Sequence, residues 1–354
     1  MWIRPALFSV FLALAPASVP AQDLATILDE ADALEPLEVV IIARNGEIIA
    51  EHGYDGNDPA TPTNIKSASK TVMSALVGMA IDKGMLEGVE QRVADLLPDD
   101  LPEDADPRLN DITIGHLLSM QAGLAPTSGA NYGRWVVSRN WVRSALAQDF
   151  EADPGGPMLY STGSTHLLSA ILTKVSGQST LALARDWFAP LQDFGIGGWA
   201  RDPQGIYLGG NEMAMSPRSL LAFGELYRTG GLAADGTRLL SQEWIDQSWM
   251  QRTRSIHTGD AYGYGWFFRE ADGEDVRYAW GFGGQMLFII PSLDLTIVMT
   301  SDESLPAAAN GYLNHLNDLL TEIVVAVRNE DQPEIVENPA IPADKPSSMR
   351  NPQR

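Results

Sequence analysis

The chain has 354 residues, with 24 Lys and Arg against 46 Asp and Glu, a formal charge of −22. Such a surface repels phosphate backbones and anionic lipid, which argues against nucleic-acid binding and gives no basis for a membrane-surface partner. There is no cysteine, so disulfides, thiol nucleophiles and thiolate metal sites are excluded.

In chain order, the start "MWIRPALFSVFLALAPASVPAQDL" has the form of a secretory leader: Arg4, a short apolar core from Ala6 to Ala15, and small residues before Gln22. Residues 1–21 are therefore expected to be a cleaved signal peptide, leaving a periplasmic or secreted protein without a membrane anchor. "LEVVIIARNGEIIAEHGY" (37–54) is a hairpin, two β-branched runs around Asn45-Gly46. From Ser67, "SASKTVMSALVGMAIDKGML" predicts a helix ending near Gly84, and "ITIGHLLSMQAGL" predicts a short one stopped by Gly123. "THLLSAILTKVSGQS" is a helix with a Gly stop, and Ser216-Pro217 opens another. Past residue 260 strands return in "YGYGWFF", "MLFIIP" and "LTIVMTSD", followed by a last helix over about 306–328. The polar, Pro-rich residues 331–354 read as a disordered tail.

Strands, helices, strands and helix imply an α/β (α+β type) fold in one domain, 22–330. Its antiparallel sheet is built from N- and C-terminal segments, about 30–66 and 255–328, flanked by helices. A mostly helical lobe, about 67–250, is inserted between them. The cleft between sheet and lobe is the natural place for a site.

Only five lysines occur in the chain, and Lys66 and Lys70 flank one serine, Ser67. A serine hydroxyl needs a base to become a nucleophile. Where serine opens a helix, a lysine three residues on shares its face, and the helix N-terminus helps keep the amine neutral. Taken alone, Ser67-x-x-Lys70 fits either this pair or an ordinary surface helix start; Lys66 is expected to point away. Tyr160, between a Pro/Gly-rich turn and a helix, suits proton relay or simple core packing. The run "YAWGFGGQMLFIIP" places three glycines in four residues before a strand. That suits either a tight turn or backbone coming close to a substrate oxyanion.

In this order these elements resemble the serine β-lactamase and penicillin-binding protein superfamily, on its class C β-lactamase and esterase side. The chain looks most like the 6-aminohexanoate-dimer hydrolase branch, over about 35–328. The resemblance implies Ser67 as the acylated nucleophile, Lys70 as its base, Tyr160 in proton transfer, and the amides of Ser67 and Phe282 as an oxyanion hole. Thr162 replaces the Asn of the family's Tyr-x-Asn, and Ala279-Trp280-Gly281 stands where β-lactamases have Lys-Thr-Gly. Thr162, Trp280, Gly281, Trp135 and Tyr132 are expected to bind substrate; Tyr132, Trp135 and Trp141 suit either the cleft or lobe packing, and His166 is expected to be structural.

The expectation is a secreted serine hydrolase acting on a small ester or amide through an acyl-enzyme, with no metal or organic cofactor. A non-catalytic module binding a peptide or cell-wall fragment and a weak β-lactamase are the alternatives. An alanine and a tryptophan cannot supply the charge that would receive a substrate carboxylate.

Overall fold

Asn45 and Gly46 take φ of 53° and 85°, the left-handed backbone a two-residue hairpin turn demands. They join β1 (Leu37–Arg44) to β2 (Glu47–Gly53). The computed structural model describes residues 23–302, 304 and 311–330. The expected leader and tail lie outside the described residues.

Strand β1 is buried along its length because the C-terminal half of the chain pairs with its other edge. The partner is β11 (Leu295–Ser301), antiparallel, with Ile41 opposite Val298. Outward from it come β10 (Gln285–Ile290), β9 (Glu274–Gly281), β8 (Phe267–Ala271), β7 (Ala261–Tyr262) and β6 (Thr253–Arg254). The sheet order is β2-β1-β11-β10-β9-β8-β7-β6, all antiparallel.

Period-two alternation splits the central strands between two cores. Val40, Ile42, Ile297 and Met299 pack under α1 (Leu24–Ala31) and α11 (Tyr312–Glu330). Ile41, Leu287, Ile289 and Val298 face the lobe. There α2 (Ser69–Asp82) is buried continuously from Ser69 to Ala80. A helix apolar on all sides is an axis around which others pack. The others are α3 (Val93–Leu96), α4 (Ile114–Leu118), α5 (Tyr132–Val136), α6 (Trp141–Leu146), α7 (Thr162–Ser176), α8 (Thr180–Trp187), α9 (Pro217–Arg228) and α10 (Gln242–Ser248).

The lobe also holds a small sheet that the sequence pattern did not suggest, because its strands are two or three residues long. It is β3 (Thr63–Asn64), β4 (Gly198–Trp199) and β5 (Met213–Met215), in the order β3-β5-β4. Other boundaries shift as well. Helix α4 ends at Leu118 rather than Gly123, because Met120 turns left-handed at φ 61°. The "YGYGW" stretch is the bend between β7 and β8. Strand β9 was hidden by its charged residues, although Asp272-Gly273, at φ 47° and 83°, is the turn that announces it. The last helix is described from Tyr312; residues 306–310 of the expected span lie outside the described residues.

Gly78, mid-way along α2, shows how tight this axis is. A Cβ there would lie 2.4 Å from the Trp244 ring. Gly78→Ala is expected to destabilise the fold by about 1–3 kcal/mol despite its better helix propensity. A lower denaturant midpoint with an unchanged m value would check this.

Candidate active site

The chain reaches Ser67 through a strained turn. Lys66 sits at φ 50°, a conformation that costs a non-glycine residue about 1–3 kcal/mol. Asn64 holds it: its Oδ1 accepts from the Lys66 N–H at 3.0 Å, and its Nδ2 donates to Glu212 at 2.8 Å. The Lys66 ammonium also pairs with Glu212, at 3.4 Å. Lys66 is thus directed to Glu212 and away from Ser67. Ser67 lies in the 3₁₀ turn Lys66–Ala68 that runs into α2.

Lys70 is only 2% exposed. Its Nζ donates to the Gly210 carbonyl at 2.7 Å, to Ser67 Oγ at 2.9 Å and to Thr162 Oγ1 at 3.4 Å. Burial penalises the ammonium and pushes its pKa down to about 7. The amine also lies 4.9 Å from the centre of the Tyr160 ring. Burial pushes the Tyr160 hydroxyl the other way, up to about 12, opposed by its contact with Ser67. Near neutral pH the pair is therefore a lysine able to accept a proton and a tyrosine that keeps its own.

Gly210 reaches Lys70 because it has no side chain. A Cβ there would fall 2.1 Å from Thr165 Oγ1 and 3.1 Å from Lys70 Nζ. The loop before it is fastened by Asp202, whose Oδ1 accepts from the amides of Gln204 and Ile206 at 2.8 and 2.9 Å. The other oxygen, Oδ2, lies 3.1 Å from Nε2 of His166, both side chains being fully buried. His166 also packs edge-on against Trp135 and Trp141, with ring centres 5.6 Å away in each case. It anchors a loop and does not face Ser67.

Ser67 opens into a cavity of ≈ 700 Å³ that Tyr132, Tyr160, Thr162, Trp280 and Phe282 also line. Gly281 is not part of that lining. A Cβ on it would lie 2.3 Å from the Ile65 carbonyl, so this glycine lets the end of β9 abut the turn that carries Ser67. Gly283 and Gly284, at φ 85° and 94°, form the turn into β10. The glycine run thus serves both a tight turn and a close backbone approach.

Trp135 corrects an expectation. It is 3% exposed, its indole N–H donates to the Trp141 carbonyl at 3.0 Å, and it borders a separate cavity of ≈ 390 Å³. An indole whose N–H is satisfied inside its own aromatic cluster is lobe core. Trp141, 8% exposed, packs in the same cluster. Ser128 is the converse case, passed over in the sequence. Its Oγ accepts from the Thr162 N–H at 2.8 Å and lies 2.9 Å from Thr162 Oγ1. Ser128 sits in a loop far from Thr162 in sequence, and no local pattern marks it.

The family model "Beta-lactamase" matches residues 35–322. The chain belongs to the Beta-lactamase family. No curated protein matches it. Among solved structures, a Bacillus anthracis protein assigned as a 6-aminohexanoate-dimer hydrolase superposes with a TM-score of 0.70 at 19% identity, covering 88% of this chain and 83% of that one. EstCE1, a hydrolase with promiscuous acyltransferase activity, gives 0.68 at 20%, with 83% and 96% covered. A class C beta lactamase from Rhodobacter sphaeroides gives 0.62 at 17%, with 85% and 97% covered. At such identities the likeness concerns the fold.

This Beta-lactamase family member therefore has the mixed fold of helices on an antiparallel sheet, with Ser67, Lys70 and Tyr160 gathered where sheet and lobe meet. Among the described residues no group of three or more His, Asp or Glu is placed to hold a metal ion. The buried amine has a thermodynamic signature. An unfolded chain binds the Lys70 proton up to the ordinary lysine pKa, whereas the folded chain releases it near 7. Between those values the unfolded state binds more protons, so this term raises stability as pH rises and is most costly below pH 7. Thermal melts should show wild type gaining on Lys70→Met between pH 7 and 10, with no such gain below pH 6.

Proposed function

We propose that this protein is a serine hydrolase that cleaves an ester or amide through an acyl-enzyme on Ser67. The observation that carries the reading is the 2.9 Å contact between Lys70 Nζ and Ser67 Oγ, made by an amine that burial holds at about 7. A base with that pKa is half deprotonated near neutrality, where general-base catalysis is most effective.

The reaction then runs as follows. Ser67 Oγ attacks the substrate carbonyl carbon while its proton passes to the neutral Lys70 amine. The carbonyl oxygen becomes an oxyanion held by the N–H groups of Ser67 and Phe282. Ser67 opens a helix, where amides have no intrahelical partner, and Phe282 follows the glycine that brings β9 against that turn. As the tetrahedral intermediate collapses, Tyr160 gives its proton to the departing oxygen or nitrogen and is reprotonated from Lys70. Water repeats the sequence on the acyl-enzyme and releases the acid. Thr162, with Ser128 behind it, fixes the far side of the Lys70 amine.

The amidase and esterase neighbours support an ester or amide as substrate at the level of the superfamily. The leader at residues 1–21 supports secretion to the periplasm or medium.

The test uses purified mature protein with p-nitrophenyl butyrate and a fluorophosphonate probe. Expected are turnover, a Ser67 adduct by intact mass, and a loss of about 10³-fold or more in kcat for Ser67→Ala and Lys70→Ala. The pH profile of kcat/KM should rise through about 7 as Lys70 loses its proton. Ligand binding without acylation of Ser67, or activity unchanged in Ser67→Ala, would overturn the reading.

A further inference from the structure

The two walls of the cavity above Ser67 differ in chemistry. The lobe contributes hydroxyls and amides at Ser128, Asn131, Thr162 and Asn211, beside apolar Pro126 and Leu159. The sheet side contributes Phe267 from β8, Trp280 from β9, Phe282 from the turn after it and Ile256 from the bend between β6 and β7, where polar Ser255 and His257 flank it. Phe267 and Trp280 meet edge-on with ring centres 5.9 Å apart, and Phe267 also lies 6.4 Å from Tyr160. This is one aromatic wall, and rings held by one another present apolar area at little entropic cost.

Among the described residues no Asp, Glu, Lys or Arg lines the cavity, in a chain that is 20% charged. Lys66, nearest in sequence to Ser67, is engaged with Glu212 at 3.4 Å. A carboxylate lying along the aromatic wall would lose water and gain no fixed cation in return, which disfavours it. The mouth is also unusual. Ile256 is 74% exposed and Phe282 49%, two of the seven large apolar side chains left exposed among the described residues. Exposed apolar groups gathered at the rim of a cleft mark a surface that something apolar covers.

We infer that the substrate carries an uncharged apolar acyl group, an alkyl or aryl chain of medium length, lying along Phe267 and Trp280 and leaving the cleft past Phe282 and Ile256. The inference rests on the hydrolase reading above and deepens it. Tyr160 precedes α7; its ring stacks on Phe267 while its hydroxyl contacts Ser67. In this proposal the leaving group it protonates lies toward Thr162 and Ser128. The acyl part then falls on the β9 side, next to Trp280. The apolar wall thus selects the acyl group, and the hydroxyls and amides opposite receive the alcohol or amine.

The experiment is a series of p-nitrophenyl esters with one leaving group: acetate, butyrate, hexanoate, octanoate and the hemisuccinate, assayed at pH 8. Expected is a rise in kcat/KM of at least about tenfold from acetate to octanoate, with the hemisuccinate at least about tenfold below butyrate. Ile256→Asp, at the rim past which the chain leaves, should lower the ratio of octanoate to acetate kcat/KM by at least about fivefold, and Ile256→Leu should restore it; a ratio unmoved by Ile256→Asp would overturn this exit path. A flat or falling series, with Ser67 still acylated by acetate, would overturn the apolar acyl site and leave the hydrolase intact. Equal turnover of hemisuccinate and butyrate would overturn the exclusion of carboxylates. Absence of any Ser67 adduct would overturn both readings together.

Discussion

An amine removed from water governs this molecule. Lys70 sits in the first turn of a helix whose next ten residues are also buried, and an ammonium is costly there. The fold lowers that cost by surrounding Nζ with three oxygens, from Gly210, Ser67 and Thr162. Each comes from a different part of the chain. The surrounding structure can be read as the means of delivering them: a strained turn for Ser67, the head of α7 for Thr162, and a loop tied down by Asp202 and His166 for Gly210. The remaining cost appears as the lowered pKa, and that lowered pKa is what makes the amine a base near neutrality.

Close backbone approach is the second constraint, and glycine meets it twice. Gly281 sets the end of β9 against the carbonyl before Ser67, and Gly210 brings a carbonyl onto Lys70. Neither contact leaves room for a side chain. The first joins the sheet to the turn that carries Ser67, and the second lies within the lobe, between α2 and α7, so the site depends on the docking of the sheet as well as on the packing of the lobe.

The sequence resemblance puts Thr162 where the family has an asparagine; the Thr162 hydroxyl lies within reach of Lys70, backed by Ser128. The same resemblance puts Ala279 and Trp280 where β-lactamases have a lysine and a threonine. Ala279 is buried at 1% exposure, and Trp280 turns toward the cavity as part of the aromatic wall. The loss of a cation and the gain of an indole at adjacent positions push the cleft in one direction, toward neutral ligands.

Much of this was legible in the chain. Asn45-Gly46 specified the first hairpin, the Gly177 stop ended α7 in a left-handed residue, and Ser216-Pro217 started α9, because turns and caps are local chemistry. Ser67 and Lys70 were readable for a similar reason: helical spacing alone puts them within reach. Tyr160 needed its order in a family pattern. What escaped had no local signature. The alternation of β9 is broken by charges, so only the turn at Asp272-Gly273 marks it. Trp135 looked like a cleft aromatic, but tertiary packing seated its indole in the lobe. Ser128, Gly210 and Asp202 become neighbours of the site only when loops close over α2. The sequence by itself determined most of the elements and the contact between Ser67 and Lys70, since both rest on residues a few positions apart. Only the tertiary structure decided how deeply Lys70 is buried, which oxygens surround it and which walls face Ser67. Those are set by desolvation and by segments that meet from distant parts of the chain.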